Sequence, residues 1–310
     1  MTPAGQMQVL YVGSWGRSGS TLLDLMLGQI PGCVSVGELR YLWERGLAER
    51  QLCGCGIPVP ECPFWGAVLE EASRGGEPID AAEVLALWRR VDGLARVPGL
   101  MARWHLPAHR EDLRAFRDVL GRVYRAAAAV SGARTVVDSS KYAAYGLLVS
   151  GVPGLELRLL HLVRDSRAVA YSWLRRKLMP EVTTETRYMP VKGPWRSATY
   201  WELENLALEL LRRSAARSAR LRYDDLTTDP RGTLGAALAV LGIEADLGFL
   251  RERRLQLGLN HTVAGNPMRF RRGDLAIEPD VEWRRGLAPR PRRVVTALTW
   301  PLLVRYGFPL

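Results

Sequence analysis

Apolar positions along this chain alternate between two periods. Short apolar runs predict buried strands at Val9–Val12, Thr135–Asp138 and Leu155–Val163, with a shorter one at Arg220–Tyr223. Apolar residues at helical spacing fall between them, at 21–27, 143–150, 166–177, 197–217 and 231–241. Residues 78–130 show helical spacing only, as in Val84, Leu85, Leu87, Trp88 and Val91, then Leu113, Phe116, Val119, Leu120 and Val123. The tail Val294–Leu310 reads as a docking helix followed by strand or coil. Strands alternating with helices imply an α/β fold with a mainly parallel sheet covered on both faces. The chain reads as a single domain over 1–310, with a helical insertion at about 40–130. Every strand ends in polar or charged residues, and ligands in such sheets bind at the carboxyl ends of the strands.

The first strand–turn–helix is the most informative segment. Gly13-Ser14-Trp15-Gly16-Arg17-Ser18-Gly19-Ser20-Thr21 joins an apolar run to a helix, a layout in which backbone N–H groups and a helix N-terminus cradle a phosphate. A Walker A loop reads G-x-x-x-x-G-K-[ST]. With Gly19 as its second glycine, Ser14 replaces the first and Ser20 replaces the lysine. The only cation in the turn is Arg17. The loop suits a phosphate-like group rather than a magnesium-bound triphosphate.

Composition narrows the field. With 310 residues and 47% hydrophobic content the chain can bury a large core, and 24% charged residues argue against global disorder. Net charge is +11, and only three of the 43 basic residues are lysines: Lys141, Lys177 and Lys192. Arginine suits phosphate and sulfate, although base composition also produces such a bias. No helix-turn-helix, zinc-finger or RNA-binding signature accompanies the charge, so nucleic acid is not an expected partner. No signal peptide or membrane span is apparent, which makes the cytoplasm the expected location. Cys53, Cys55 and Cys62 sit in a Gly/Pro loop, Leu52–Trp65. Their spacing fits no zinc knuckle or ribbon. The loop is read as a reduced structural loop, with a disulfide or a metal as alternatives, and no metal is required by the reading.

A second motif is Leu162-Val163-Arg164-Asp165-Ser166-Arg167, continuing to Ser172. The strand delivers Arg164 to its carboxyl end, Asp165 or Ser166 can cap the next helix, and Ser172 lies two turns in. An arginine and a hydroxyl so placed can hold a terminal phosphate.

Taken together, these motifs resemble the sulfotransferases that use 3′-phosphoadenosine 5′-phosphosulfate (PAPS). Gly16-Arg17-Ser18-Gly19-Ser20-Thr21-Leu22 resembles the family's 5′-phosphosulfate loop, and Arg164 with Ser172 resembles its 3′-phosphate motif. Tyr223, in Leu221-Arg222-Tyr223-Asp224-Asp225-Leu226, resembles the segment whose tyrosine faces the adenine. Arg271-Arg272-Gly273 resembles a late element that closes on the 3′-phosphate. The resemblance implies a P-loop-NTPase-like fold, PAPS as co-substrate, 3′,5′-ADP as product and no metal requirement.

Arg17 stands where many members have lysine. The protein-tyrosine sulfotransferases resemble this chain in having arginine there, and a "Gly-Glu" base at similar spacing matches Gly37-Glu38, 21 residues after Arg17. Arg17 would stabilise charge on the leaving phosphate rather than donate a proton. Glu38 is the expected base, and Lys141, at the end of Asp138-Ser139-Ser140-Lys141, an expected sulfuryl contact. His105 is set aside because it falls in the helical insertion, and His261 reads as structural. The expected acceptor is a hydroxyl on a small molecule, a sugar or a lipid-like natural product, with the insertion's Trp65, Trp88 and Trp104 shaping an apolar pocket. A small-molecule P-loop kinase and a non-catalytic nucleotide sensor are the alternatives. The oligomeric state is left open, a homodimer included.

Overall fold

A computed structural model describes residues 6–74, 76–102 and 107–310. A five-stranded sheet in the order β2-β3-β1-β4-β5 forms the centre, and every neighbouring pair is parallel. The strands are β1 (Met7–Gly13), β2 (Cys33–Gly37), β3 (Thr135–Lys141), β4 (Leu155–Val163) and β5 (Arg217–Arg222). Helix α1 (Ser20–Leu27) follows β1. Helices α2 (Pro63–Ser73), α3 (Ala81–Val91), α4 (Val97–Ala102) and α5 (Pro107–Ser131) fill the stretch between β2 and β3. Beyond β3 come α6 (Ala143–Ser150), α7 (Ser166–Leu174), α8 (Pro194–Leu211), α9 (Tyr223–Thr228) and α10 (Pro230–Leu241). A small antiparallel sheet of β6 (Leu250–Arg251), β7 (Arg254–Leu257) and β8 (Gly273–Ala276) precedes α11 (Trp283–Gly286) and α12 (Pro289–Arg305).

Alternation along the strands feeds two cores. Val9 and Tyr11 of β1, Val136 of β3 and Leu157 and Leu159 of β4 face one layer, which includes α5, α6 and the insertion. Leu10 and Val12, Val137, and Leu160 and Leu162 face the other, with α1, α10 and the small sheet. This two-sided burial makes β1 and β4 read as continuous apolar runs. Trp65 and Trp88 are buried inside the insertion's own packing, while Trp104 and His105 lie outside the described residues.

Boundaries differ in several places, among them the end of α7, at Leu174 rather than 177, and the end of β3, at Lys141 rather than Asp138. The short β2 carries Cys33 and Ser35 among its valines and gave no strand pattern. Helix α8 stops at Leu211 and not at 217, because Arg217–Arg222 pairs with β4 as an edge strand. Tyr223 opens α9 rather than closing β5. Among the described residues no helix is long and apolar enough to cross a membrane.

Candidate functional site

The carboxyl ends of all five strands meet at one cavity of about 440 Å³, within the size range of small-molecule sites. β1 leads into Gly16, Arg17, Gly19, Ser20, Thr21 and Leu22, β2 into Glu38, β3 into Lys141 and Tyr142, β4 into Arg164, and β5 into Tyr223; Ser172 of α7 completes that end. Strand pairing is irregular where it meets the cavity, between Tyr11 and Gly13 against β3 and between Ser35 and Gly37 against β3. The two cations nearest these irregularities, Arg17 (φ 72°) and Lys141 (φ 77°), both sit in the left-handed region. Non-glycine residues persist there only where their surroundings hold them.

The buried Glu38 carboxylate forms an ion pair with the buried Lys141 ammonium. Glu38 is held from behind, because its N–H donates to the Val263 carbonyl at 2.8 Å and the Val263 N–H donates to Val36 at 3.0 Å. A stretch of chain more than 220 residues later thus extends the β2 edge and brings Gly265, Asn266 and Met268 to the cavity. Gly37 permits this contact. It has φ 72°, and a Cβ there would stand 2.6 Å from the Val263 oxygen. The Asn266 N–H donates to Thr21 Oγ1 at 3.1 Å, joining the late loop to α1.

Arg164 is fixed on three sides. Its guanidinium donates to the Arg17 carbonyl at 2.9 Å, pairs with Asp280 at 2.5 Å and lies 4.4 Å from the centre of the Tyr223 ring. That ring packs against the Gly19 backbone. The side chain of Asp165 caps α7 by accepting from the Arg167 N–H. Arg17 stacks on Trp173 at 5.0 Å, and burial pulls its pKa down against the pull of Glu38. Arg17 Nη1 and Arg164 Nε are buried with no hydrogen-bond partner among the described residues. Six cations line the cavity (Arg17, Arg45, Lys141, Arg164, Lys177 and Lys192) against two carboxylates, Glu38 and Asp280. The site is built for a polyanion.

The family profile of sulfotransferases matches residues 10–246, more than half of the chain. The chain belongs to the sulfotransferase family. Among solved structures it is similar to the sulfotransferase domain of the Synechococcus PCC 7002 olefin synthase, at 19% identity and a TM-score of 0.56, covering 100% of this chain and 98% of that one. It is also similar to the sulfotransferase domain of the curacin biosynthetic pathway, at 17% identity and a TM-score of 0.52, covering 98% of each chain. No curated protein sequence matches it. The mainly parallel sheet flanked by helices is the fold of these relatives.

The structure brings together Gly16, Arg17, Gly19, Ser20, Thr21, Leu22, Glu38, Lys141, Arg164, Ser172 and Tyr223. Ser18 is buried behind the loop and does not line the cavity. Arg271, Arg272 and Gly273 stand back from it as well: Arg272 donates to the Arg269, Arg271 and Gly54 carbonyls, and their neighbours Gly265, Asn266 and Met268 form the wall. The insertion reaches the cavity through Tyr41 and Arg45, the latter on a widened helical turn at Leu42–Ala48.

Much of the remaining wall comes from the connection between α7 and α8; its first residues, through Lys177, are expected to continue the helix, but α7 stops at Leu174, and the rest of the segment shows no periodicity. It supplies Lys177, Met179, Met189, Pro190 and Lys192 beside Trp173. Lys192 lies 4.1 Å from the Trp173 ring centre and 4.5 Å from that of Trp15. Burial, then Arg196 and Arg17, push its pKa down to about 8. Lys177 is lowered by burial and by Arg17, Arg175 and Arg164. One sequence signal was available: all three lysines of the chain line this cavity.

Proposed function

We propose that this protein moves a sulfuryl group from PAPS to a hydroxyl acceptor, giving a sulfate ester and 3′,5′-ADP. The observation that carries the reading is the convergence of six cations and two carboxylates on one cavity, at the carboxyl ends of the strands of a sulfotransferase-family chain. PAPS carries roughly four negative charges, two of them on a phosphomonoester. The cavity's excess of four cations over carboxylates complements that charge. The unpartnered N–H groups of Arg17 and Arg164 are the kind of donors such a ligand would satisfy.

In this reading the loop from Gly16 to Leu22 holds the 5′-phosphosulfate, Arg164 and Ser172 hold the 3′-phosphate, and Tyr223 meets the adenine. The acceptor oxygen attacks sulfur, the bond from sulfur to the bridging oxygen breaks, and Arg17 stabilises the charge gathering on the leaving phosphate. Arginine keeps its proton, so Arg17 acts by charge alone. Glu38 takes the acceptor's proton, and Lys141 orients Glu38 through their ion pair. The apolar surfaces of Trp173, Met179 and Met189 fit the body of a small-molecule, sugar or lipid-like acceptor. The work is placed in the cytoplasm, as the sequence suggests.

The test is calorimetric titration with 3′,5′-ADP, compared with ATP plus magnesium, both without acceptor. Tight 3′,5′-ADP binding without any need for magnesium is the expected result. Binding of magnesium-ATP with no 3′,5′-ADP binding would overturn the reading in favour of a kinase, an alternative that the family match does not favour.

A further inference from the structure

Away from the cavity, Cys53, Cys55, Cys62 and His261 converge so that one ligand atom from each lies within 4.8 Å of all the others. We propose that these four residues bind a structural zinc ion that clips the insertion to the late loop of the site. Zn–S and Zn–N bonds of about 2.3 and 2.1 Å at tetrahedral angles place ligand atoms about 3.5 to 3.8 Å apart. Here Cys55 Sγ is 3.7 Å from Cys62 Sγ, and His261 Nδ1 is 3.3 Å from Cys62 Sγ and 3.9 Å from Cys53 Sγ. Three soft sulfurs and an imidazole are a zinc donor set. All four cysteines of the chain are free thiols in this structure. A disulfide would join two sulfurs and leave the third, with the imidazole, no reason to converge.

Backbone N–H groups are turned toward two of the sulfurs. The Cys55 N–H points to Cys53 Sγ, and the Trp65 N–H to Cys62 Sγ. Cys62 is also the residue that opens α2, where the helix dipole favours negative charge. Gly54 between the first two cysteines leaves no room for a side chain, since a Cβ would stand 1.9 Å from Asn260 Oδ1. The His261 ring is oriented by stacking on Phe64, 5.0 Å between centres, and its carbonyl accepts from the Trp65 indole at 2.8 Å. Three thiolates around Zn²⁺ keep one net negative charge. Positive charge stands nearby: buried Arg269 senses Glu181 first and Cys53 next, and Arg272 acts on His261. Arg269 donates only to the Thr262 and Leu52 carbonyls, at 2.7 Å each.

The clip has a mechanical consequence. It joins the loop from Leu52 to Trp65 to the segment that carries Val263, Gly265, Asn266 and Met268, and so supports the wall behind Glu38 and Thr21. That consequence rests on the proposed function of the cavity; the metal site does not.

The test is elemental analysis of the full chain purified without a metal-affinity column. The expected zinc stoichiometry is about one. It is lost in Cys62→Ser and His261→Ala and kept in Cys33→Ser, whose thiol lies apart on β2. Cobalt exchanged into the wild-type protein is expected to show thiolate-to-cobalt charge transfer and the visible bands of a tetrahedral ion, a readout that needs no variant to fold. Folded wild-type protein without zinc that fails to take up cobalt, or a disulfide found among these cysteines by mass spectrometry, would overturn the proposal. If zinc is present and 3′,5′-ADP does not bind, the metal site stands and the PAPS reading falls.

Discussion

Replacing Arg164 with alanine tests the 3′-phosphate assignment through a ligand comparison. The side chain is buried and already makes three contacts: the Arg17 carbonyl, Asp280 and the Tyr223 ring. A hydrogen bond to a charged group contributes about 1.5 to 3 kcal/mol. A 3′-phosphate must compete with Asp280 for the same guanidinium. Asp280 is 33% exposed and regains hydration when displaced, so the net contribution belongs near the lower bound, about 1.5 kcal/mol or tenfold in Kd. Losing the Arg17 and Tyr223 contacts would also loosen the loop and the adenine face, but that loss falls equally on a nucleotide without a 3′-phosphate. Calorimetric titrations of wild type and Arg164→Ala with 3′,5′-ADP and with 5′-AMP separate the two effects, as in a double-mutant cycle. The preference for 3′,5′-ADP over 5′-AMP is expected to fall about tenfold in the variant. An unchanged preference, however much both affinities drop, would refute the assignment and leave Arg164 a scaffold for the loop.

Glu38→Gln is expected to lower the rate of transfer from labelled PAPS about 10²- to 10⁴-fold while 3′,5′-ADP still binds; an unchanged rate would remove Glu38 as the base. Lys192 predicts a pH dependence. Its free-state pKa of about 8 rises when an anion binds beside it, so binding takes up a proton above that pH and 3′,5′-ADP affinity falls as pH rises through 8. Lys192→Met is expected to weaken binding at pH 7 and flatten that decline, measured by titration across pH 7 to 10. Gly37→Ala places a Cβ 2.6 Å from the Val263 oxygen at φ 72°; the backbone conformation alone costs about 1 to 3 kcal/mol, and calorimetric unfolding is expected to show Tm several degrees lower.

The parts of the fold legible in the sequence are those where one local rule decides. β1, β3 and β4 read as apolar runs ended by polar residues because helices cover both faces of them. The range 143–150 matches α6 to the residue, since an apolar stretch with a breaker at Gly151 admits little else. β2 was illegible because its strand character comes from β3 on one side and Val263 on the other, neither of which is local. The same limit applies at the site. Arg17 and Arg164 follow strands that the pattern predicted and could be placed at their ends, whereas Glu38, after the illegible β2, was reached only through the family resemblance. Lys177 is expected at the end of a helix that stops at Leu174, and Lys192 lies in an aperiodic stretch, with only the scarcity of lysine to mark either. His261 could not be joined to Cys62 from spacing, because 199 residues separate them.

The free protein holds its cavity in an unfavourable state, and this bears on function. Arg17, Lys177 and Lys192 all have pKa values pulled down, by burial first; for the lysines the neighbouring cations add to it. Arg17 and Lys141 occupy left-handed backbone conformations, each costing about 1 to 3 kcal/mol. These terms oppose folding, and the packed cores on both faces of the sheet hold the loops in place against them. An anion that enters the cavity relieves the charge part without moving the strand ends that carry the cations. The donors are therefore oriented before the ligand arrives, and in the proposed reaction little reorganisation would be left for the moment when charge gathers on the bridging oxygen. In the proposed reading the acceptor end is built differently, with methionines and a proline on a connection held by a single antiparallel bridge between Leu178 and Tyr188. Unbranched, polarisable side chains on such a segment can repack around different apolar bodies. On the proposed reading, selectivity for the donor would reside in the strand ends, and selectivity for the acceptor in the connection between α7 and α8.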